Sequence, residues 1–537
     1  MRHQWVGLAV VLGWHALFGL YFETGSDMYA SLLHRGVLTG SPEPLLDPYG
    51  IFVGLTHVFV ALQSVQSWID AQVAVTVLSL GLIVGNAIAL LNLHGLRGAR
   101  GSLVIGLFVL LLLPVVVQVE VARTALLLTG TSALLLASMP RGARWARRVL
   151  WLALAVGLST RLEMGVLALV IVGLLLGVRR WVAPRTIVLA IGAAALVGGA
   201  SFVVNRPWTP EDARYLDFRR HQFALWDYDG VPGNELDARD AALLETARQF
   251  FIADPETHTP AFFDRLDLAS ADKTPRGLIR GLALWDPGKL RTLASRSGWR
   301  LALILCVVTL LGIAAWWNAP GRFGPDIAAW ALVVLLLVAI TGLMKMEMRV
   351  LSPVLLLWVL WSAAPTYRSR RRGPMAVLVL AAGLSLVSVV PHQRVHAQRQ
   401  AVMDYMRQHL ARTADPDDVL ILDLFATIHW HDALHVRVPD DVPNGVTIVS
   451  IDNFLLTFHD AQTARIEAVS GARSPSGFLR WASRNRDHVW TIATPQRTDL
   501  LRDHFARWHD VDWSPNAVAM DGPSPHSKDP FIFKLMH

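Results

Sequence analysis

Cysteine is all but missing from this chain: Cys306 stands alone in 537 residues, so no intrachain disulfide is available to staple any water-facing part. Charge is scarce too, at 17% Asp, Glu, Lys and Arg, against roughly one-quarter in a soluble domain. Lysine is rare, and most of the formal charge of +7 is arginine. The sequence has no internal repeat, no low-complexity tract and no Gly-rich phosphate loop, which argues against a solenoid and against a nucleotide-cradling turn. The first apolar run, Trp5 to Phe22, is not followed by a small-residue cleavage site, because Tyr21-Phe22-Glu23 is bulky; it reads as a retained helix rather than a signal peptide.

What the chain does have is apolar residues, 53% of the total, gathered in runs close to the length that crosses a hydrocarbon core of about 30 Å as helix. In lipid every backbone polar group must be bonded internally, and the runs do not alternate, so they read as helices rather than barrel strands. The pattern predicts a polytopic α-helical membrane protein with about eleven spans. These are roughly 5–22, 72–91, 102–118, 124–138, 149–160, 164–178, 186–204, 299–317, 327–343, 350–364 and 375–391, with 149–178 open to reading as one broken or re-entrant unit. Ile51 to Trp68, apolar but interrupted by His57, Gln63, Ser64, Gln66 and Ser67, reads as a helix lying in the interface.

Arginine placement orients the chain. With the N-terminus inside, the inner loops carry Arg97, Arg100, Arg141, Arg144, Arg147, Arg148, Arg179, Arg180, Arg185, Arg322, Arg368, Arg370, Arg371 and Arg372. The short outer loops carry Arg35, Arg123, Arg161, Lys345 and Arg349, fourteen against five. This distribution marks topology and not a nucleic-acid surface. Trp316-Trp317 and Trp358 to Trp361 read as interfacial aromatics. Residues 1–391 then form the membrane domain, with outer loops at 23–71 and 205–298, and residues 392–537 form a small extracytoplasmic α/β domain. In that domain Val395 to Leu410 and Thr498 to Trp508 read as helices, and Val419 to Leu424, Thr447 to Ile451, Val489 to Ile492 and Phe531 to Leu535 as strands.

Five charged clusters fall at outer helix ends: Glu23 with Asp27, His34 and Arg35; Glu43 with Asp47 and Tyr49; Glu120 with Arg123; Arg161 with Glu163; and Glu347 with Arg349. One carboxylate in such a loop is ordinarily a solvated interface group. Five on one side, by a topology drawn from other residues, point to a shared cavity. There a carboxylate suits general-base work on a hydroxyl and arginine suits bidentate grip on a phosphate. Elsewhere, His429, His431 and His435 have metal-ligand side chains but no clear completing set, and read as a polar loop edge. Tyr228-Asp229-Gly230 and Asp254-Pro255-Glu256 read as turn and cap residues, with acceptor or divalent-cation binding as the alternative.

In layout the whole chain resembles the bacterial GT-C glycosyltransferases, polytopic enzymes that use polyprenyl-phosphate-linked sugars. An acidic outer loop follows helix one (Glu23, Asp27), Thr160-Arg161-Leu162-Glu163 is similar to that family's Thr-Arg-Pro-Glu phrase, and Glu347-Met-Arg349-Val-Leu-Ser-Pro353 is similar to its Arg-Tyr-Leu-Leu-Pro phrase. A soluble α/β part after the last span completes the likeness. Three departures are that Glu23 and Asp27 are four apart instead of adjacent, that Leu162 replaces the proline, and that the loop 205–298 is larger than the family pattern leads one to expect. The resemblance implies sugar transfer from a polyprenyl phosphate to an extracytoplasmic lipid, glycan or protein acceptor at the outer face of a bacterial inner membrane. Asp27, or second Glu23, would be the base, Arg349 would hold the lipid phosphate, and Asp47, Glu120, Arg123, Arg161, Glu163 and Glu347 would line the substrate cavity. No cofactor is called for beyond a divalent cation as an option. A transporter or flippase of lipid-linked glycans and a non-catalytic envelope scaffold are the rival readings. The absence of paired halves and the one-sided charges weigh against transport.

Overall fold

The structure is a computed structural model. It describes residues 2–22, 25–45, 51–96, 98–140, 142–177, 209–226, 234–249, 254–268, 323–343, 348–363, 372–423, 445–451, 459–513, 516–517 and 531–534, with single positions at 192, 195, 199, 232, 288, 291, 295, 309 and 313.

The first half is a helical body. In order come α1 (Arg2–Phe18), β1 (Tyr21–Phe22), α2 (Gly25–His34), α3 (Leu55–Val65), α4 (Ala71–Leu93), α5 (Gly98–Val117), β2 (Gln118–Val119), α6 (Val121–Ser138), α7 (Arg144–Thr160) and α8 (Leu162–Gly177). Three helices of the long loop follow: α9 (Pro210–Trp226), α10 (Ala238–Arg248) and α11 (Pro260–Leu266). Then come α12 (Phe323–Leu343), α13 (Met348–Trp358), continued by a π-helical turn over Val359–Ala363, and α14 (Arg372–Thr413).

Among the described residues four helices are long and apolar enough to cross a membrane: α4, α5, α6 and the Met375–Thr413 part of α14. The chain thus has the character of a membrane protein, and its outer surface agrees, since Leu78, Leu103, Leu335 and Val387 are all more than half exposed. The count departs from the eleven expected spans. Helix α1 has 17 residues and α8 has 16, which at about 1.5 Å per residue falls short of about 30 Å of hydrocarbon. The run at 350–364 is an 11-residue α-helix that loosens into a π turn. The region 149–178 is two helices, broken at Arg161, whose backbone is extended. The expected spans 186–204 and 299–317 lie outside the described residues apart from single positions.

Small residues set how closely the helices approach. Gly81-Leu-Ile-Val-Gly85 on α4 faces Gly7 of α1, and a Cβ at Gly85 would sit 2.6 Å from the Gln4 Cα. With lipid on the outside, hydrophobic contrast gives helices little reason to associate, so close backbone approach and buried polar pairs carry the packing. Asn86 of α4 supplies such a pair, donating from Nδ2 to Ser132 Oγ on α6 at 3.0 Å, with both side chains fully buried.

The sequence predicts a span at 375–391 and a separate helix from Val395; they are one helix, running through Pro391 to Thr413. Its last turns bury Val402, Met403, Met406 and Leu410 in one cluster with Leu420, Leu422, Ile448, Trp490 and Ile492 of the sheet beyond it. That sheet comprises β3 (Val419–Leu422), β4 (Thr447–Ser450), β5 (Val489–Ala493), β6 (Asn516–Ala517) and β7 (Phe531–Lys534), interleaved with α15 (Asp460–Ser470), α16 (Pro475–Arg484) and α17 (Pro495–His509). The order is β4-β3-β5-β7-β6, with β4, β3 and β5 parallel and β7 antiparallel to both its neighbours. Parallel strands covered on both faces read as continuous apolar runs, and Val-Leu-Ile-Leu of β3 does so. Val419 and Ile421 point to a second cluster with Phe478, Leu501 and Phe505, while Leu420 and Leu422 point to the α14 side.

The long-loop helices build a small core of their own, Phe218, Leu243, Phe262, Phe263 and Leu266, against which Trp508 of α17 packs. Arg497 Nη1 donates to the Gln249 carbonyl at 2.9 Å, and Ser476 Oγ to Glu256 Oε1 at 2.9 Å, so this loop is seated on the C-terminal sheet unit.

Candidate functional site

The expected site residues that the structure describes with side chains collect where two helix breaks meet the roots of the first loop. At the first break, Glu120 is extended (φ −152°) and caps α6 by accepting the Arg123 N–H at 2.8 Å. Its own side chain is fully buried, and Arg123 folds back to donate from Nη1 to the Gln118 carbonyl at 3.0 Å. At the second break, Arg161 is the single residue between α7 and α8. Its Nε and Nη2 both donate to Glu163 Oε1, at 2.9 and 2.8 Å, and its Nη1 stands 4.0 Å from Glu120 Oε1.

The first loop is tied to both breaks. Tyr21 and Phe22 pair in parallel with Gln118 and Val119, and further on Ile51 bridges Arg161 while the Phe52 N–H donates to the Thr160 carbonyl at 2.9 Å. The residues flanking the segment 23–50, Tyr21-Phe22 and Ile51-Phe52, are therefore anchored beside a cluster of two carboxylates and two guanidiniums. Such a cluster is formally neutral, with a guanidinium pre-oriented by one carboxylate. A phosphate can exchange for, or share, that carboxylate, because both present planar oxygen pairs to the same fork of donors.

Asp27 lies on α2, with its side chain outside the described residues, as is that of Arg349 in the first turn of α13, a helix that packs on α5, α6 and α8. Glu23, Asp47 and Glu347 lie outside the described residues altogether, as do His429, His431, His435 and Tyr228-Asp229-Gly230.

A second polar group, in which His34 of the first charged cluster meets Asp70, Gln72 and Thr56, fastens α2 beside this cluster. Asp70 caps α4 by accepting the Val73 N–H at 2.9 Å and also accepts from the Ser31 hydroxyl. Next to it His34 is held from both ring nitrogens, by Gln72 Oε1 at 2.9 Å and Thr56 Oγ1 at 2.8 Å, with Phe52 and Phe59 rings around it. Burial pushes the His34 pKa down to about 4, so the ring is neutral at physiological pH, while burial raises Asp70 above the usual carboxylate range and the nearby Arg35 opposes that rise. The Asp70 cap has a local signature, an Asp directly before an apolar run. The Ser31 and His34 partners, nearly forty residues away along the chain, have none.

No family model, curated protein or solved structure matches the chain.

The functional reading therefore rests on the residues themselves. Among the described residues one more constellation stands out, formed by Asp254, His504 and His509, whose ligand-type atoms all lie within 4.8 Å of one another. As the sequence predicts, Asp254 makes a local turn, its Oδ1 accepting the Glu256 N–H at 3.0 Å. Nothing in the sequence links it to two histidines about 250 residues later.

Proposed function

We propose that the protein is a membrane glycosyltransferase of the GT-C type, moving a sugar from a polyprenyl phosphate to an acceptor on the outer side of a bacterial inner membrane, with its N-terminus inside. The observation that carries the reading is the tethering of the chain on either side of the first loop, Tyr21-Phe22 to Gln118-Val119 just before Glu120, and Ile51-Phe52 to Arg161 and Thr160. The reading is supported by the anchoring of the flanks of this acidic loop beside Arg161, a guanidinium already oriented by Glu163.

In this reaction the acceptor oxygen attacks the anomeric carbon while the bond from that carbon to the phosphate oxygen breaks. Asp27 takes the acceptor's proton, with Glu23 as the second candidate. Arg161, oriented by Glu163, stabilises the charge gathering on the departing lipid phosphate, together with Arg349. Glu120 keeps Arg161 in place through charge, and Arg123 braces the Gln118 turn to which the loop pairs. Asp47 and Glu347 are assigned as further substrate-binding residues on the sequence alone. Apolar walls between the helices receive the lipid tail.

The test is transfer of radiolabelled sugar from a panel of polyprenyl-phosphate donors by purified protein in lipid, wild type against Asp27→Asn and Glu23→Gln. Turnover by wild type, abolished by one substitution with donor binding retained, supports the reading and names the base. Unchanged turnover in both variants removes the acidic loop from the chemistry.

A further inference from the structure

The seam between the long loop and the C-terminal sheet unit contains a constellation that the glycosyl-transfer reading leaves unused. Asp254 is fully buried, yet its Oδ2 alone is approached by three groups: His504 Nε2 at 3.0 Å, His509 Nε2 at 2.5 Å and Thr257 Oγ1 at 2.8 Å. Both histidines come from α17, and His509 is its last residue. On its other side the His509 ring turns Nδ1 toward Glu256 Oε2 at 3.6 Å, and Glu256 is itself held by the Ser476 hydroxyl.

The ring of His509 therefore looks at a carboxylate from each nitrogen. Each ring nitrogen of an imidazole holds either a proton or an in-plane lone pair, and a lone pair facing a carboxylate oxygen is repulsive. A metal ion between Nε2 and Asp254 Oδ2 removes the conflict: Nε2 binds the ion, and the proton on Nδ1 points to Glu256. That is the arrangement in which a carboxylate orients a metal-bound histidine, and Thr257 plays the matching part for the Asp254 carboxylate.

The three ligand-type atoms lie within 4.8 Å of one another, close enough to take up a small ion after a modest shift. Tetrahedral zinc with bonds of about 2.0–2.2 Å has ligand-to-ligand edges of about 3.3–3.5 Å. The His504–Asp254 separation of 3.0 Å is within a few tenths of that, and His509, at 2.5 Å, needs to swing out by less than a residue at a helix end readily allows. Two imidazole nitrogens and one carboxylate oxygen suit a borderline transition ion, and argue against calcium or magnesium, which favour oxygen. His509 alone of the three reaches the surface, which leaves a side from which water completes the shell.

We infer that Asp254, His504 and His509 form a zinc-class divalent metal site, oriented by Glu256 and Thr257, that pins the Asp254–His258 segment of the long loop to α17. The site stands independently of the glycosyltransferase reading.

The test uses the full-length protein in lipid nanodiscs, stripped with chelator, reloaded with zinc and analysed for metal per chain. One equivalent is expected in wild type, with at least a tenfold loss of affinity in Asp254→Asn and His509→Gln. Because misfolding would also lower retention in either variant, His509→Cys is the companion: it keeps a ligand, and with cobalt it should gain a thiolate-to-metal charge-transfer band absent from wild type, whose only cysteine is Cys306. Zinc should also slow protease cleavage of the long loop in wild type and not in Asp254→Asn. Failure of folded wild type to retain zinc, or equal retention by Asp254→Asn, overturns the proposal and leaves the cluster a hydrogen-bonded clamp; a cobalt spectrum identical in His509→Cys and wild type overturns the assignment of His509.

Discussion

Two seams hold this molecule together, and they are made differently. The α1–α4 seam in the apolar body is built from what is missing, side chains at Gly7, Gly81 and Gly85, so that backbone meets backbone. The seam between the long loop and the C-terminal sheet unit is built from what is present: Trp508 in an aromatic pocket, Arg497 on a carbonyl, and a buried aspartate between two histidines. The difference follows from the solvent outside. Lipid is as apolar as leucine, so burial of leucine between helices gains little and shape must carry the contact. Water rewards burial of rings at roughly 25 cal/mol per Å² of apolar surface, and directional polar pairs then fix the register.

The largest effect expected is on the polar knot that lies between these two regimes. His34 has its pKa lowered from 6.5 to about 4 by burial. Between those values the unfolded chain binds a proton there and the folded chain does not, so stability falls as pH falls from 6.5 toward 4 and levels off below, by about 3 kcal/mol at most. Chemical denaturation in detergent across that range should show this slope, and His34→Gln should flatten it. A slope unchanged by the substitution assigns the acid sensitivity elsewhere.

The small-residue seam is next. Gly85→Leu should destabilise by about 1–3 kcal/mol, read as a fall in melting temperature, whereas Gly13→Leu, where a side chain meets nothing within 4 Å, should leave it unchanged. Equal effects at both positions would erase the contrast. Removing the helix cap in Glu120→Ala should cost about 0.5–2 kcal/mol in the same assay. The smallest effect is at the water-facing pair of Arg265 with Asp240, two hydrogen bonds of 3.0 and 2.9 Å to a guanidinium that is half exposed. Arg265→Ala should change stability by less than about 1 kcal/mol, and less still in high salt.

Local pattern made much of this legible. The apolar runs locate α4, α5 and α6 to within a few residues, and the short apolar stretches at 419–424, 447–451, 489–492 and 531–535 locate β3, β4, β5 and β7. The length of α14 was not legible, since Pro391 and the polar residues after it mimic a helix end. The close approach of Gly7 to Gly85 and the His34 knot were hidden for a different reason: each joins segments whose partners are set by packing and not by neighbouring residues. Of the candidate site, the sequence marks Glu120 with Arg123 and Arg161 with Glu163 as local pairs at helix breaks, and the 4.0 Å approach of Arg161 to Glu120 is set by packing. The constellation of Asp254 with His504 and His509 could not be read at all, because two helical histidines five apart carry no signal until an aspartate about 250 residues earlier is set beside them.

The most direct test of the central claim, that the Arg161 break is the phosphate grip of a lipid-linked sugar site, is donor binding itself. Purified protein in nanodiscs would be titrated with a polyprenyl-phosphate sugar, wild type against Arg161→Gln, with folding checked by melting temperature. The account predicts saturable binding by wild type and a loss of about tenfold or more in Arg161→Gln, the scale of one or two charge-assisted hydrogen bonds. Equal affinity in the two proteins, or no binding of any donor by folded wild type, would contradict it.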